Sequence, residues 1–195
     1  MKKLFASLAL SLAAVSSFAA GPVIGLSYDY DRANDGQSFR AAHEGKVSIA
    51  QATRLGTFDA GLLGSRYRGV RTSDDTNGFE LGYSNGYTLG RVGLTGRLGY
   101  GRMNQIDPNG GGFTGNTNYW SGTVEAATPV VGNLNAFVGY RHRHGFGDNL
   151  LTQNRYTVGV DYALNKSIAL RAGYAHTRQG GLVYNGLTTA ATYNF

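Results

Sequence analysis

Four histidines, His43, His142, His144 and His176, and a thin scatter of acids are the residues of this chain that could move protons. His43 and Glu44 with Asp74 and Asp75 form the one set in which an imidazole and several carboxylates could meet to activate water. His142 is followed by Arg143 and His144, so no serine nucleophile stands two residues beyond it. Solvated positions in connecting segments account for all four more simply. Asp31 to Gly36 reads DRANDG, yet the third position of a calcium loop would be Ala33 and the twelfth Ala42, leaving the oxygen ligands incomplete. Gly90, Gly93, Gly96, Gly99 and Gly101 come near dinucleotide-loop spacing but open no helix, and strand curvature explains them better. With no cysteine there is neither a thiolate metal site nor a disulfide. No catalytic residue, metal or cofactor is expected.

The charged residues have a different regularity, which belongs to strands. Side chains of a strand alternate between faces with a period of two. Across Arg91–Gly101 one face carries Val92, Leu94, Gly96, Leu98 and Tyr100, and the other Arg91, Gly93, Thr95, Arg97 and Gly99. Tyr156, Val158, Val160 and Tyr162 oppose Arg155, Thr157, Gly159 and Asp161 in the same way; near Asn135 only Phe137 falls on the polar face. Ten such segments are read, at about 22–30, 45–53, 56–65, 78–86, 90–103, 117–127, 133–143, 152–163, 167–177 and 184–195. Eight is the alternative count if two early segments are misread. The alternation slips over Leu62–Arg71, where a bulge is expected. Short connections such as Ala163–Lys166 alternate with longer polar ones such as Asn104–Asn116, as in an up-and-down meander.

Residues 1–19 read as a signal peptide: Lys2 and Lys3, an apolar stretch from Leu4 to Val15, then small residues that place cleavage after Ala19 or Ala20. Residues 20–195 form one domain. Without Lys2 and Lys3, sixteen basic residues face twelve acidic ones, too even a balance to imply nucleic acid. Thirty glycines could suggest disorder, but thirteen tyrosines argue against it. No later apolar run approaches the roughly 20 residues of a spanning helix, so any membrane crossing must be made by strands.

The polarity of the faces favours a membrane. Tyr30, Tyr100, Trp120, Tyr140, Tyr156 and Tyr174 lie on the apolar face near the longer connections, and Tyr162, Tyr193 and Phe195 near the opposite end. Two aromatic girdles flanking Val, Leu and Ala match two lipid interfaces. The last strand carries Leu187, Thr189, Ala191, Tyr193 and Phe195 on one face. With its signal peptide, alternation and terminal aromatics, the chain resembles the Gram-negative outer-membrane β-barrel proteins, nearest in general type to the small barrels of the OmpA membrane domain, OmpX and opacity class. The resemblance implies an all-β, closed antiparallel barrel in the outer membrane and a monomer. It also implies that the barrel assembly machinery recognises the last strand through Tyr193 and Phe195. A barrel lipid A deacylase would need the serine missing after His142, and an omptin-like protease has only the His43, Glu44, Asp74 and Asp75 set.

In such a barrel, parity sends Lys46, Arg91, Arg97, Arg141, Arg155 and Arg171 into the lumen with Asp29, Asp59, Glu80, Glu125 and Asp161. Eight to ten strands leave an interior just wide enough for side chains, which suggests a packed ion-pair core, Glu80 with Arg97 and Asp29 with Lys46 among the pairs. The alternative is a narrow anion-preferring channel, given room by Gly93, Gly99, Gly139, Gly159 and Gly173. At the outer rim Arg66, Arg68, Arg71, Arg102, Arg143 and Arg178 are candidate contacts for lipopolysaccharide phosphates. The expected role is structural, surface-interacting or envelope-stabilising, and not enzymatic.

Overall fold

The structure, a computed structural model, describes residues 21–34, 39–68, 73–107, 112–146, 152–179 and 181–195, with side chains described outside 34–40, 67–74, 105–114, 147–151 and 180. The expected signal peptide, Arg71, and the side chains of Arg68 and Asp74 lie outside the described residues. Ten strands close into an antiparallel barrel: β1 Val23–Asn34, β2 Phe39–Thr53, β3 Gly56–Arg68, β4 Ser73–Leu89, β5 Val92–Asp107, β6 Gly112–Val131, β7 Leu134–Phe146, β8 Gln153–Ala163, β9 Ile168–Gln179 and β10 Leu182–Asn194. Each strand pairs with its sequence neighbours, and β1 pairs with β10 from Val23–Asn194 to Ala33–Tyr184. Closure leaves no edge, so every strand finds hydrogen-bond partners on both sides, the condition for crossing hydrocarbon with strands.

The period of two fixes which residues face outward. Leu26, Leu62, Leu98 and Val158 are 52, 69, 65 and 56 % exposed, while Asp29, Lys46, Glu80 and Arg155 on the other face are buried. This inverts the polarity of a soluble barrel and suits a lipid surround. The outward aromatics gather at two levels: Tyr30, Tyr100, Trp120, Tyr140, Tyr156 and Tyr174 toward one end, and Phe58, Tyr83, Tyr162, Tyr193 and Phe195 toward the other. At the latter end, Gly90 and Gly132 begin two-residue turns with φ of +62° and +54°, a conformation that a Cβ would strain.

Two expectations about the wall are corrected. Pairing of β2, β3 and β4 runs without interruption through Leu62–Arg68, so no bulge lies there. The alternation slips because Leu63 is an apolar residue on the inner face, packed with Met103 and Tyr119. Register shifts fall instead at Gln105/Ile106 and Pro129/Val131. Nor is Asn104–Asn116 a long loop: β5 runs to Asp107 and β6 starts at Gly112. β4, β5 and β6, of 17, 16 and 20 residues, exceed the roughly 9–11 needed to cross a bilayer, so they project above it.

Candidate functional site in the barrel lumen

The inward side chains meet in three ion-pair networks. In the first, spanning β2 to β5, Lys46 Nζ lies 2.7 Å from Glu80 Oε1, and Arg97 Nη2 lies 2.7 Å from the same oxygen. Arg97 also donates to both oxygens of Asp59, at 2.9 and 2.6 Å, and the Tyr119 hydroxyl donates to Glu80 Oε2 at 3.0 Å. In the second, Arg171 of β9 makes a bidentate pair with Glu125 of β6 at 2.8 Å and another with Asp161 of β8 at 2.6 and 2.7 Å. Its guanidinium lies 3.8 Å from the Phe137 ring centre. Phe137, the apolar residue on a polar face, is thus a platform for a cation.

The third network is less regular. Arg143 of β7 faces Glu44 of β2 at 3.3 and 3.4 Å and stacks over Tyr119 at 4.8 Å. Arg141 is 3.9 Å from Glu44 and donates to Gln153 at 2.8 Å. Arg155 donates to Asp31 at 2.8 Å; its Nη2 is 2.9 Å from Asp29 Oδ1, close enough for an ion pair but without hydrogen-bond alignment. The side chains from all three networks surround a cavity of about 80 Å³, room for a few waters.

Inner-face glycines show how the lumen is filled. A Cβ at Gly82 would fall 2.3 Å from Arg97 Nη2, one at Gly101 would fall 2.4 Å from the Tyr119 ring, and one at Gly159 would fall 2.8 Å from the Phe137 ring. Long side chains therefore lie flat against stretches of wall that have none. At Gly99 and Gly173, as at Gly159, the space of the missing side chain is taken by a neighbouring strand's Ser121, Thr188 or Phe137.

Asp29, Lys46, Asp59, Glu80, Arg97, Glu125, Arg141, Arg155, Asp161 and Arg171 all face inward. Arg91 does not: it follows Gly90 in the β4–β5 turn and is exposed, because the positive φ at Gly90 ends the strand before parity can apply. Lys46 pairs with Glu80 and Asp29 with Arg155, not with each other. Arg143, expected at the rim, is buried in the lumen because β7 continues to Phe146 and keeps Arg143 in phase with Arg141. Glu44 and Asp31, absent from the expected set, also point inward; extending the parity of Lys46 and Asp29 by one step would have found both. His43 neighbours Glu44 on β2 and so faces the opposite way, against Tyr30 at 4.9 Å, while Asp75 pairs with Arg66; His43 and Glu44 are thus on opposite faces of the wall. Of the remaining rim arginines, Arg102 and Arg178 are exposed on the outer face. Tyr193 also faces outward, its ring 4.8 Å from that of Phe195. Among the described residues, no group of three or more histidines and acids could hold a metal.

The model of the Gram-negative porin family matches residues 10–182. The chain belongs to that family. Its place is accordingly the outer membrane of a Gram-negative bacterium. Solved structures agree on the fold at low identity. The translocator domain of the autotransporter NalP from Neisseria meningitidis is 12 % identical, with a TM-score of 0.57 and coverage of 91 % of this chain and 90 % of that one. The COG4313 outer membrane channel from Pseudomonas putida F1 is 11 % identical, with a TM-score of 0.57 over 92 % and 97 %. The beta domain of the Bordetella autotransporter BrkA is 12 % identical, with a TM-score of 0.51 over 90 % and 99 %. No curated protein sequence matches the chain.

Proposed function

We propose that this porin-family barrel serves the envelope as a structural and surface-contacting protein whose lumen is held shut by its ion pairs. The supporting observation is that acids and bases on different strands join across the interior, as Arg171 joins Glu125 from β9 to β6 and Arg143 joins Glu44 from β7 to β2. Buried charges stay ionised only when paired this closely, and the pairs take the space through which water and solutes would pass. The barrel works as a monomer, its assembly relying on the aromatic end of β10 and its outward arginines meeting lipopolysaccharide. Refolded protein in planar bilayers is expected to give no steady conductance. Steady anion-selective openings that change in Arg97→Ala would overturn the closed lumen.

A second reading, a narrow anion-preferring channel, is favoured by one observation: Arg141, Arg143 and Arg155 line the cavity and keep buried guanidinium nitrogens without hydrogen-bond partners. Reversal potentials in a salt gradient distinguish it. Chloride selectivity that falls in Arg141→Gln supports the channel, and silence in both proteins supports the closed barrel.

A further inference from the structure

The outer wall is not uniformly convex. Across β4 to β8 it carries an apolar groove of about 770 Å³, with Gly96 and Ala126 in its floor and Leu94, Val124, Val138 and Tyr140 beside them. A Cβ at Gly96 would meet nothing within 4 Å, so the hollow is open where the side chain is missing. The groove crosses five strands. At about 4.8 Å per strand that is roughly 19 Å across the strands, which run tilted in a barrel, so the groove climbs the wall aslant and takes an acyl chain lying obliquely to the membrane normal.

The groove leads to a polar patch. Gly96, Val124, Tyr140, Tyr156 and His176 stand directly opposite one another on successive strands, so the row that starts at the groove floor ends at an imidazole. In the next row toward the loops, His142, Asn154 and Arg178 are likewise neighbours. Nδ1–H of His176 donates to Asn185 Oδ1 at 2.8 Å and Nδ1–H of His142 to Asn154 Oδ1 at 2.9 Å, which orients both rings and leaves Nε2 to donate to an anion when the ring is in its imidazolium form. Arg178 is exposed and makes no ion pair among the described residues. A donor patch at the outer membrane interface, continuous with an apolar trough, suits a ligand that is anionic at one end and aliphatic at the other. We propose that this groove seats one acyl chain of an outer-leaflet lipid that carries an anionic phosphate monoester, which Arg178, His142 and His176 hold. The seat lies outside the wall and stands whether or not the lumen conducts.

Trp120, the only tryptophan, reports on it, since its ring is 5.2 Å from that of His142. The refolded barrel is placed in phosphatidylcholine vesicles containing a small fraction of either brominated phosphatidic acid or brominated phosphatidylcholine, and quenching of Trp120 is compared. Phosphatidic acid is expected to quench at least about twofold more at equal fraction, the mark of local enrichment. The bias should fall to parity when Arg178, His142 and His176 are all changed to Gln, should shrink in Arg178→Gln alone, and should shrink in Gly96→Leu, which fills the trough. Heat-modifiable mobility on gels shows that each variant is folded. Equal quenching by the two lipids in the unaltered protein overturns the proposal, as does a bias that survives either the triple replacement or Gly96→Leu.

Discussion

Two networks in the same lumen use the same residue types and differ in how completely their pairing closes. Around Glu80, the hydrogen-bonded contacts of Lys46, Arg97 and Asp59 run from 2.6 to 2.9 Å, Lys46 lies a further 4.0 Å from Asp59, and none of their charged atoms is left without a hydrogen-bond partner. Around Arg155 and Arg141 the ion-pair contacts range from 2.8 to 3.9 Å, and Asp29 Oδ1, Asp31 Oδ1, Arg141 Nε, Arg143 Nε and Arg155 Nη2 are buried without hydrogen-bond partners. The difference follows from register. Arg97 stands opposite the neutral Ser84 and Thr123 and is free to reach Glu80 and Asp59, whereas Arg141 and Arg155 stand directly opposite each other, a like-charge pair that disfavours that stretch of sheet. The Glu80 network is a tie; the network of Arg141 and Arg155 is where the lumen is least settled and where any solute would find unsatisfied donors.

The sharpest way to break the comparison is Glu80→Ala. It strands Lys46 in the interior together with the Tyr119 hydroxyl and leaves Arg97 with Asp59 alone, and removing one partner of a buried pair costs about 3–5 kcal/mol. Urea unfolding of the barrel in lipid should show that loss, and Glu80→Gln should recover only part of it. A cost under about 1 kcal/mol would mean that water already solvates these groups and that the Glu80 network is no tighter than that of Arg141 and Arg155.

Nearly as large an effect is expected through the wall of β8, which carries Arg155 inward and Val158 outward. Val158→Arg puts a cation into mid-bilayer hydrocarbon and should cost about 2–4 kcal/mol in lipid, with far less effect in urea-free detergent micelles. At Gly159, next along the strand, even a Cβ would meet Ala172 O at 2.3 Å, so Gly159→Arg should act by crowding in both settings. Loss of the lipid dependence at Val158 would reverse the assignment of the faces.

How much of this could be read from the sequence depended on where the period of two was unbroken. Val158 and Arg155 belong to a run of clean alternation, and their opposite faces follow from counting alone. Parity broke at both ends of the reading. The turn at Gly90 takes Arg91 out of phase, and Arg143 and Glu44 lie where β7 and β2 become polar on both faces, so that alternation no longer separates lumen from rim. Leu63 disguised the middle of β3 because apolar packing with Met103 and Tyr119 occurs inside a polar lumen. Which acid meets which base was legible only in part: Glu80 and Arg97, on adjacent strands, do pair, whereas Asp29 and Lys46 do not. Lys46 and Glu80 are 34 residues apart and sit on strands that are not adjacent, so their contact depends on how side chains bridge the lumen, which alternation does not encode.

A smaller effect should separate the two networks again. Arg141→Ala removes one member of the like-charge pair while Arg143 still serves Glu44, so the expected cost is under about 1 kcal/mol, and relief of repulsion could cancel it. Destabilisation as large as that of Glu80→Ala, in the same urea titration, would show that the 3.9 Å contact to Glu44 is a full member of the network.

The smallest thermodynamic effect is expected at Phe195, outside both networks. Its ring is 65 % exposed and touches Tyr193, and its N–H donates a long hydrogen bond of 3.3 Å to Pro22 O. Loss of an exposed ring and one strained hydrogen bond at the seam of β1 and β10 should cost only about 0.5–1 kcal/mol in the barrel refolded into detergent. In cells, deletion should lower the yield of membrane-inserted protein far more than that figure implies, if the ring acts during assembly and not in the finished wall. The check is a paired comparison of full-length protein and protein ending at Asn194, by unfolding in detergent and by quantifying the heat-modifiable band in outer-membrane fractions. Equal loss in both would place the ring's contribution in the folded seam, and unchanged yield in cells would remove its role in assembly.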